Sequence, residues 1–477
     1  MDDSINNIIN ASQQGNHTMD FLNKDSSDIN YFSNYIDNLG FTKMAATIFF
    51  LSALIQWIWG SETCFISINI EHLGQNQDVP ETLLLICICI LYSMVGVGSA
   101  LIGHLTFVMG RIYTINITVF IYILVTIVCS FVIRMNFYII FFLRCIGNIS
   151  IGIFVIIILN ILCEFLPTKN RSLYLMINES FYNFGNLFTL ILNNYYLDLD
   201  SYETYNMRIE NLIITVPGIV GMILIFFWGS ESPLYLFNKN YVDEGYILIE
   251  YMTNQLLTDE EKEKILKSIK LKKQYKIESK YSELFTTDYY FITLCCLVIC
   301  SICHFNLIGI TYLISKTLNY LEDNFYDIDY QTQMIIYGII QLPNGFIGGI
   351  MTESQIFQRK KTIWISSLLC AIFYFLCVIS IKSVGVFGGI IMLFNSICYN
   401  CSFLYVMEIF PTNLRDIAQS FIQCAAFFIG SLSPFFIGIF NHYVSYFLLG
   451  VSNIVIMMVS GMFPVDTYMR HLDSDIL

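Results

Sequence analysis

The chain is short of charge. Asp, Glu, Lys and Arg make up only 13% of its 477 residues, too few to cover a soluble protein of this size. It has no basic excess either: the net charge of −13 gives no ground for a nucleic-acid partner. The 15 cysteines sit mostly inside apolar runs, as Cys295, Cys296, Cys300 and Cys303 do. The outer loops carry almost none, so no disulfide framework is expected, and the thiols read as small buried hydrophobes. No nucleophile triad, phosphate loop or metal-ligand cluster stands out, so neither an enzyme nor a bound cofactor or metal is expected. Residues 1–40 lack the basic start and apolar stretch of a signal peptide and read as a flexible polar tail.

What the chain has in quantity is apolar surface. Hydrophobic residues are 56% of it and aromatic ones 16%, gathered in runs of about 20, the length that crosses a bilayer. Twelve spans can be drawn, at 43–69, 82–105, 113–133, 137–162, 172–196, 211–230, 288–314, 330–352, 362–381, 384–405, 416–440 and 443–463. The layout is a tail (1–42), a six-helix bundle (43–233), a charged linker (234–287), a second six-helix bundle (288–465) and a short tail (466–477). The linker holds Asp259-Glu-Glu-Lys-Glu-Lys264. Its periodic Ile265, Leu266 and Ile269 predict short amphipathic helices lying near the membrane surface.

Orientation follows from Lys and Arg. Arg111, Lys169, Arg171, the linker lysines, Arg359, Lys360, Lys361, Arg415 and Arg470 fall on one side. The opposite loops hold Arg134, Arg208, Lys316 and Lys382 beside acids such as Asp198, Asp200, Glu322 and Asp323. Both termini and the linker are therefore predicted to be cytoplasmic, in the plasma membrane or an internal vesicle membrane. The sequons at Asn10 and Asn16 would then stay unmodified.

The octapeptide Glu164-Phe-Leu-Pro-Thr-Lys-Asn-Arg171 returns half a chain later as Glu408-Ile-Phe-Pro-Thr-Asn-Leu-Arg415. Each copy of E-x-x-P-T-x-x-R closes an apolar segment. A duplicated membrane unit of this kind is how secondary transporters are built.

Further motifs stand in the same register. They are Tyr35-Ile-Asp-Asn-Leu-Gly40, Glu179-Ser-Phe181 with Gly185, Glu231-Ser-Pro233, Leu342-Pro343, and Tyr405 before the second octapeptide. Together they resemble the major facilitator superfamily. The resemblance is to the branch of organic cation and anion transporters, bacterial metabolite–proton symporters and synaptic vesicle glycoprotein 2, over residues 35–465. It implies an all-α fold of twelve transmembrane helices in two pseudo-symmetric halves. It also implies alternating-access transport of a small organic ion: a vitamin-like carboxylate such as nicotinate or pantothenate, an aromatic acid or an organic cation. The chain departs from the pattern in places. In the loop between spans 2 and 3 the family's G-x-L-x-D-R-x-G-R-R keeps Gly103, Gly110 and Arg111, but Phe107 and Val108 replace its acid and first base. Span 1 keeps Glu62 of a carboxylate pair, and Gln341 replaces the eighth-span Glu. A non-transporting vesicle or sensor protein and a facilitative uniporter stay open as alternatives.

Gly110, Arg111, Glu164, Arg171, Glu231, Arg359, Glu408 and Arg415 are expected to form a charge cluster that holds the inner side shut. Glu62, Arg144 and Glu179 are the charges deepest in spans, where they are costly unless they face a bundle interior or cavity. Glu62 and Arg144 match in depth, whereas Glu179, about two turns above the inner end of span 5, has no partner at its level. An isolated membrane carboxylate suits proton coupling. His304 and Asn306 on span 7 match the depth of Glu62. With Tyr182, Gln341 and Tyr399 they complete the expected substrate- and proton-handling set. The partners expected are an organic ion, a proton and the bilayer, for a chain acting as a monomer. This layout makes residues 240–280 inaccessible from outside. A tag placed there should stay unlabelled in intact cells and become labelled on permeabilisation.

Overall fold

The computed structural model describes residues 31–75, 77–132, 136–196, 204–274, 280–287, 289–324 and 330–469. The two sequons, Arg134, Asp198, Asp200, Arg470 and most of both tails lie outside them. The described residues form helices and the turns between them, as an apolar solvent demands: with no water to bond the backbone, each segment must satisfy its own N–H and C=O groups.

A short helix, α1 (Tyr31–Leu39), precedes the first half. That half comprises α2 (Lys43–Gln75), α3 (Glu81–Met109), α4 (Arg111–Val132), α5 (Phe137–Phe165), the pair α6 (Arg171–Glu179) and α7 (Phe181–Tyr196), and α8 (Thr204–Trp228). The linker holds α9 (Pro233–Asn238), α10 (Val242–Thr253) and α11 (Asp259–Gln274). The second half comprises α12 (Tyr290–Asn324), α13 (Tyr330–Ile340) with α14 (Asn344–Glu353), α15 (Gln358–Ile379), α16 (Val384–Ile409), α17 (Thr412–Ser431) with α18 (Ser433–Ile439), and α19 (His442–Gly461). Eleven segments among the described residues are long and apolar enough to cross a membrane. The α6–α7 pair, interrupted at Ser180, covers the fifth predicted span.

Helices α2 and α12 run past the predicted ends of their spans. Polar residues lower the hydropathy there, yet they are buried and bonded: Asn69 donates to Glu210 (2.9 Å) and Thr317 to the Leu313 carbonyl (2.7 Å). The linker also differs from expectation. Ile265 and Ile269 of α11 do not face lipid; they are buried with Phe32 and Ile36 of α1 and Phe237 of α9. The linker thus forms a small protein core, pinned by an edge-on Phe32–Phe237 contact at 5.7 Å.

Within the first half, backbones meet directly. A Cβ on Gly152 of α5 would lie 2.0 Å from the Val95 carbonyl oxygen of α3, and one on Gly185 of α7 would lie 2.0 Å from that of Trp57 on α2. Close approach at small residues replaces hydrophobic driving force between helices in lipid. Between the halves there are two seams. Helix α3 packs along α17, where Ser420 Oγ donates to the Ser99 carbonyl (2.8 Å). The α6–α7 pair packs along α13–α14, where a Cβ on Gly345 would come within 2.4 Å of the Met176 carbonyl oxygen. Gly152→Val should therefore force α3 and α5 apart and lower the melting temperature in detergent markedly, since overpacking costs about 1–3 kcal/mol or more. A Gly152→Val protein that melts with the parent would contradict this packing.

Candidate functional site

Two groups of buried polar residues lie on the interface between the halves. One is at the linker side, where each octapeptide turns from one span into the next. The α5 helix ends at Phe165, and Pro167 turns the chain. Asp37 of α1 fixes this turn by accepting from the Thr168 N–H (2.7 Å) and hydroxyl (2.5 Å).

The charges at these turns are almost fully buried and arranged by pseudo-symmetry. Glu164 accepts from Arg111 of its own half (2.9 Å) and from Arg415 of the other (2.8 Å). Glu408 accepts from Arg359 of its own half (3.1 Å) and lies 3.8 Å from Arg171 of the other. Thus the Arg of each octapeptide reaches the Glu of the other copy. A hydroxyl completes each carboxylate: Ser232 donates to Glu164, and Thr467 to Glu408 (2.6 Å). An acid beside each hydroxyl caps a helix. Glu231 accepts from the Arg111 and Ile112 N–H groups at the start of α4 (2.8 and 2.9 Å). Asp466 accepts from those of Arg359 and Lys360 at the start of α15 (3.4 and 2.9 Å). Burial pushes the Glu231 carboxyl above its usual range, against the two N–H groups and Arg111. Gly110 makes the tight α3–α4 turn with φ of +86°, a conformation that suits glycine.

Four members of this clamp were not expected from sequence. Asp416 accepts from Arg111 (2.9 Å) and from the Asn160 amide (2.9 Å), joining the halves. Glu353 accepts from Ser172 N–H and hydroxyl (3.1 and 2.5 Å) across the other seam. Asp466 and Thr467 repeat the acid–hydroxyl order of Glu231-Ser232 just past the last span of each half, and that recurrence was the available signal. Asp416 directly follows the second octapeptide. Meanwhile Phe107, at the lost acid position, is exposed and carries the Lys239 ammonium over its ring at 4.1 Å.

The second group surrounds Trp59, midway along the interface. Its ring contacts those of Tyr182 (4.7 Å), Tyr399 (6.3 Å) and Phe427 (6.2 Å). Small cavities adjoin it, each with space for little more than a water molecule. One is lined by Glu62, Thr63, Tyr92 and His304. There Arg144 grips both Glu62 oxygens and the Asn211 amide oxygen, and Tyr122 donates to Glu62 (3.2 Å). His304 pairs with Gln423 (3.1 Å). Another is lined by Glu179, Tyr182, Asn183, Asn344, Ser396, Tyr399 and Asn400. Glu179 Oε1, the Tyr182 hydroxyl, Ser396 Oγ, and both side-chain polar atoms of Gln341, Asn344 and Asn395 are buried without a hydrogen-bond partner. Asn306 does not join this group: its oxygen accepts from Ser452 on α19 (2.6 Å). A further buried carboxylate, Glu210, is held by the Asn69 amide (2.9 Å). The string Cys300-Ser-Ile-Cys303-His304 has the spacing of a haem-attachment motif. Here it is buried in α12 against α16 and α17, with no space for a cofactor beside it.

Residues 29–474 match the family of sugar (and other) transporters. The chain belongs to that family. It has the major facilitator fold, and its relatives carry solutes rather than convert them. The transporter superposes on the proton:xylose symporter XylE bound to 6-bromo-6-deoxy-D-glucose with a TM-score of 0.71 at 17% identity, covering 90% of this chain and 98% of that one. A double-tryptophan variant of XylE gives 0.75 at 18% identity, covering 91% and 98%. The inward-open form of XylE from E. coli gives 0.66 at 18%, covering 90% and 99%. At such identity the likeness carries the fold alone. No curated protein matches the sequence at a significant level.

The clamp makes a prediction. Truncating one partner of a buried ion pair leaves the other charge uncompensated, at about 3–5 kcal/mol. Arg171→Ala and Arg415→Ala should each lower uptake at least tenfold while a monodisperse protein is still recovered by size exclusion. Wild-type uptake in both would show that the clamp has no part in transport.

Proposed function

We propose that this is a proton-coupled secondary transporter of a small polar organic solute, with sugars the leading class. The solute binds between the halves beside Trp59 and crosses by alternating access. The observation that carries this reading is the set of unpartnered buried amides and hydroxyls around Trp59, on both halves. Buried polar groups are nearly always hydrogen-bonded, and a polyhydroxylated solute offers donors and acceptors to Asn183, Asn344 and Ser396 together. The flat rings of Trp59, Tyr182 and Tyr399 suit the apolar face of a sugar ring. The family's name and the sugar and proton named for XylE point the same way.

The organic-ion reading receives divided support. Arg144 spends both terminal nitrogens and its charge on Glu62 and Asn211, leaving only its Nε–H without a partner. Glu179 favours a solute carrying a protonated amine, because one of its oxygens faces the aromatic cavity without a partner. The same carboxylate is our candidate for the coupling proton, since it is buried within a span and one of its oxygens has no partner. In this reading the linker and both termini are cytoplasmic, the clamp is the inner gate, and one chain suffices because its two halves enclose the cavity.

Purified protein in proteoliposomes should take up at least one labelled pentose, hexose, amino sugar or small organic ion, faster when the outside is acidified. Glu179→Gln should depress accumulation driven by the pH gradient at least tenfold more than it depresses exchange at equal pH. Equal losses in the two assays would remove Glu179 from coupling. No uptake of any solute in the panel would overturn the transport reading.

A further inference from the structure

The buried carboxylate Glu210 has no part in the clamp or in the cavities beside Trp59. It stands six residues into α8, near the end opposite the linker, and is fully buried. Its bonds come from neutral amides. Asn69 of α2 donates to it (2.9 Å), and Asn193 of α7, with its amide turned to donate, reaches both oxygens (2.5 and 3.0 Å). A carboxylate is costly at such a place and marks an ion or proton route more often than a fold requirement. We propose that Glu210 takes up the coupling proton on the side opposite the linker and passes it along one face of α7 to Glu179. The proposal rests on Glu179 as the coupling site.

The spacing along the helix is the first argument. Asn193 stands seven residues after Asn186, and Asn186 seven after Glu179. Two helical turns separate each pair, so the three share a face, with Asn183 on the same stripe. Ser180 keeps helical dihedrals (φ −65°, ψ −17°), so the face runs on across the break between α6 and α7. It rises about 21 Å from Glu179 to Asn193. This face lies on the seam between the halves. Asn183 donates to the Gln341 carbonyl (3.4 Å), and a Cβ on Gly338 of α13 would meet Leu187 and Leu190 at 2.7 and 3.2 Å.

The state of the polar atoms is the second argument. Both side-chain polar atoms of Asn186, the Asn183 oxygen and Glu179 Oε1 are buried without a protein partner. Buried groups of this kind take water, and a file of water conducts protons. The ionisable groups in the field of Glu210 are Arg144 of α5 and Cys64 of α2. Arg144 is itself held by Glu62 and Asn211. Tyr182 and Tyr399 line the cavity with Glu179. Among the described residues neither Glu210 nor Glu179 is held in an ion pair, so each is free to gain and lose a proton. A hydronium ion gives its proton to the Glu210 carboxylate. One proton then moves along the water file to Glu179, which becomes neutral as Glu210 returns to the carboxylate. No other bond changes.

The test uses the full chain in proteoliposomes, with the proton as the probe. The external pH is stepped from neutral to acid, and time-resolved infrared difference spectra follow carboxyl protonation. The band missing from Glu179→Gln belongs to Glu179. In Glu210→Gln and in Asn186→Leu that band should rise at least tenfold more slowly, to the parent's final amplitude. Glu210→Asp, which keeps a titrating group, should restore the parent's rate. A role in locking helices alone would lower the melting temperature and leave the rate unchanged. If one slow variant is not recovered folded, the other decides. A Glu179 band that rises at the parent's rate in a folded Glu210→Gln or Asn186→Leu protein overturns the path and leaves Glu179 as the coupling site. A parent spectrum with no band that Glu179→Gln removes overturns the coupling reading, and the path with it.

Discussion

A guanidinium buried in a protein needs a counter-charge, and in this molecule three of the carboxylates that supply it come from the other half. Arg415 reaches Glu164 at 2.8 Å and Arg171 approaches Glu408 at 3.8 Å. Desolvation makes such charges expensive alone and tolerable together, so the state in which both octapeptides meet is held by four buried arginines at once. The capping acids Glu231 and Asp466 add to it by fixing the starts of α4 and α15, the helices that carry Arg111 and Arg359. Separation of the halves on this side must replace these contacts with water. That is the physical content of the gate we propose.

The clamp also accounts for the departure at Phe107. In the second half an acid, Glu353, is the last residue of α14 and accepts from Ser172, the residue after Arg171. In the first half the position of the family's acid, in the last turn of α3, is Phe107. The acid stands instead at Asp416, the residue after Arg415, where it accepts from Arg111. The acid has changed sides of the seam while the contact between halves keeps a carboxylate. The lost acid is thus no argument against a working gate.

Much of this was legible in the sequence because periodic signals are strong. The apolar runs gave the spans, and the repeated E-x-x-P-T-x-x-R placed equivalent charges at equivalent turns. Glu62 and Arg144 were matched by depth alone, and the helices bring them together. What escaped depended on contacts between residues far apart in the chain. Nothing local marks Asp416 as the partner of Arg111, or turns Asn306 toward Ser452 rather than the cavity. The linker misled for a related reason: an amphipathic stripe shows that one face is covered, not whether lipid or protein covers it, and here α1 and α9 do. The cysteines read as small buried hydrophobes, and the structure holds them free and mostly buried.

The charge clamp ties the halves together at the linker side. Spin labels at the exposed positions 169 and 361, one on each half, report that separation by pulsed electron resonance. The parent protein should show a dominant short distance without solute. Glu164→Gln, which takes the carboxylate from both Arg111 and Arg415, should raise a longer-distance population at the expense of the short one. An unchanged distance distribution in Glu164→Gln would contradict the claim that these ion pairs keep the linker side closed.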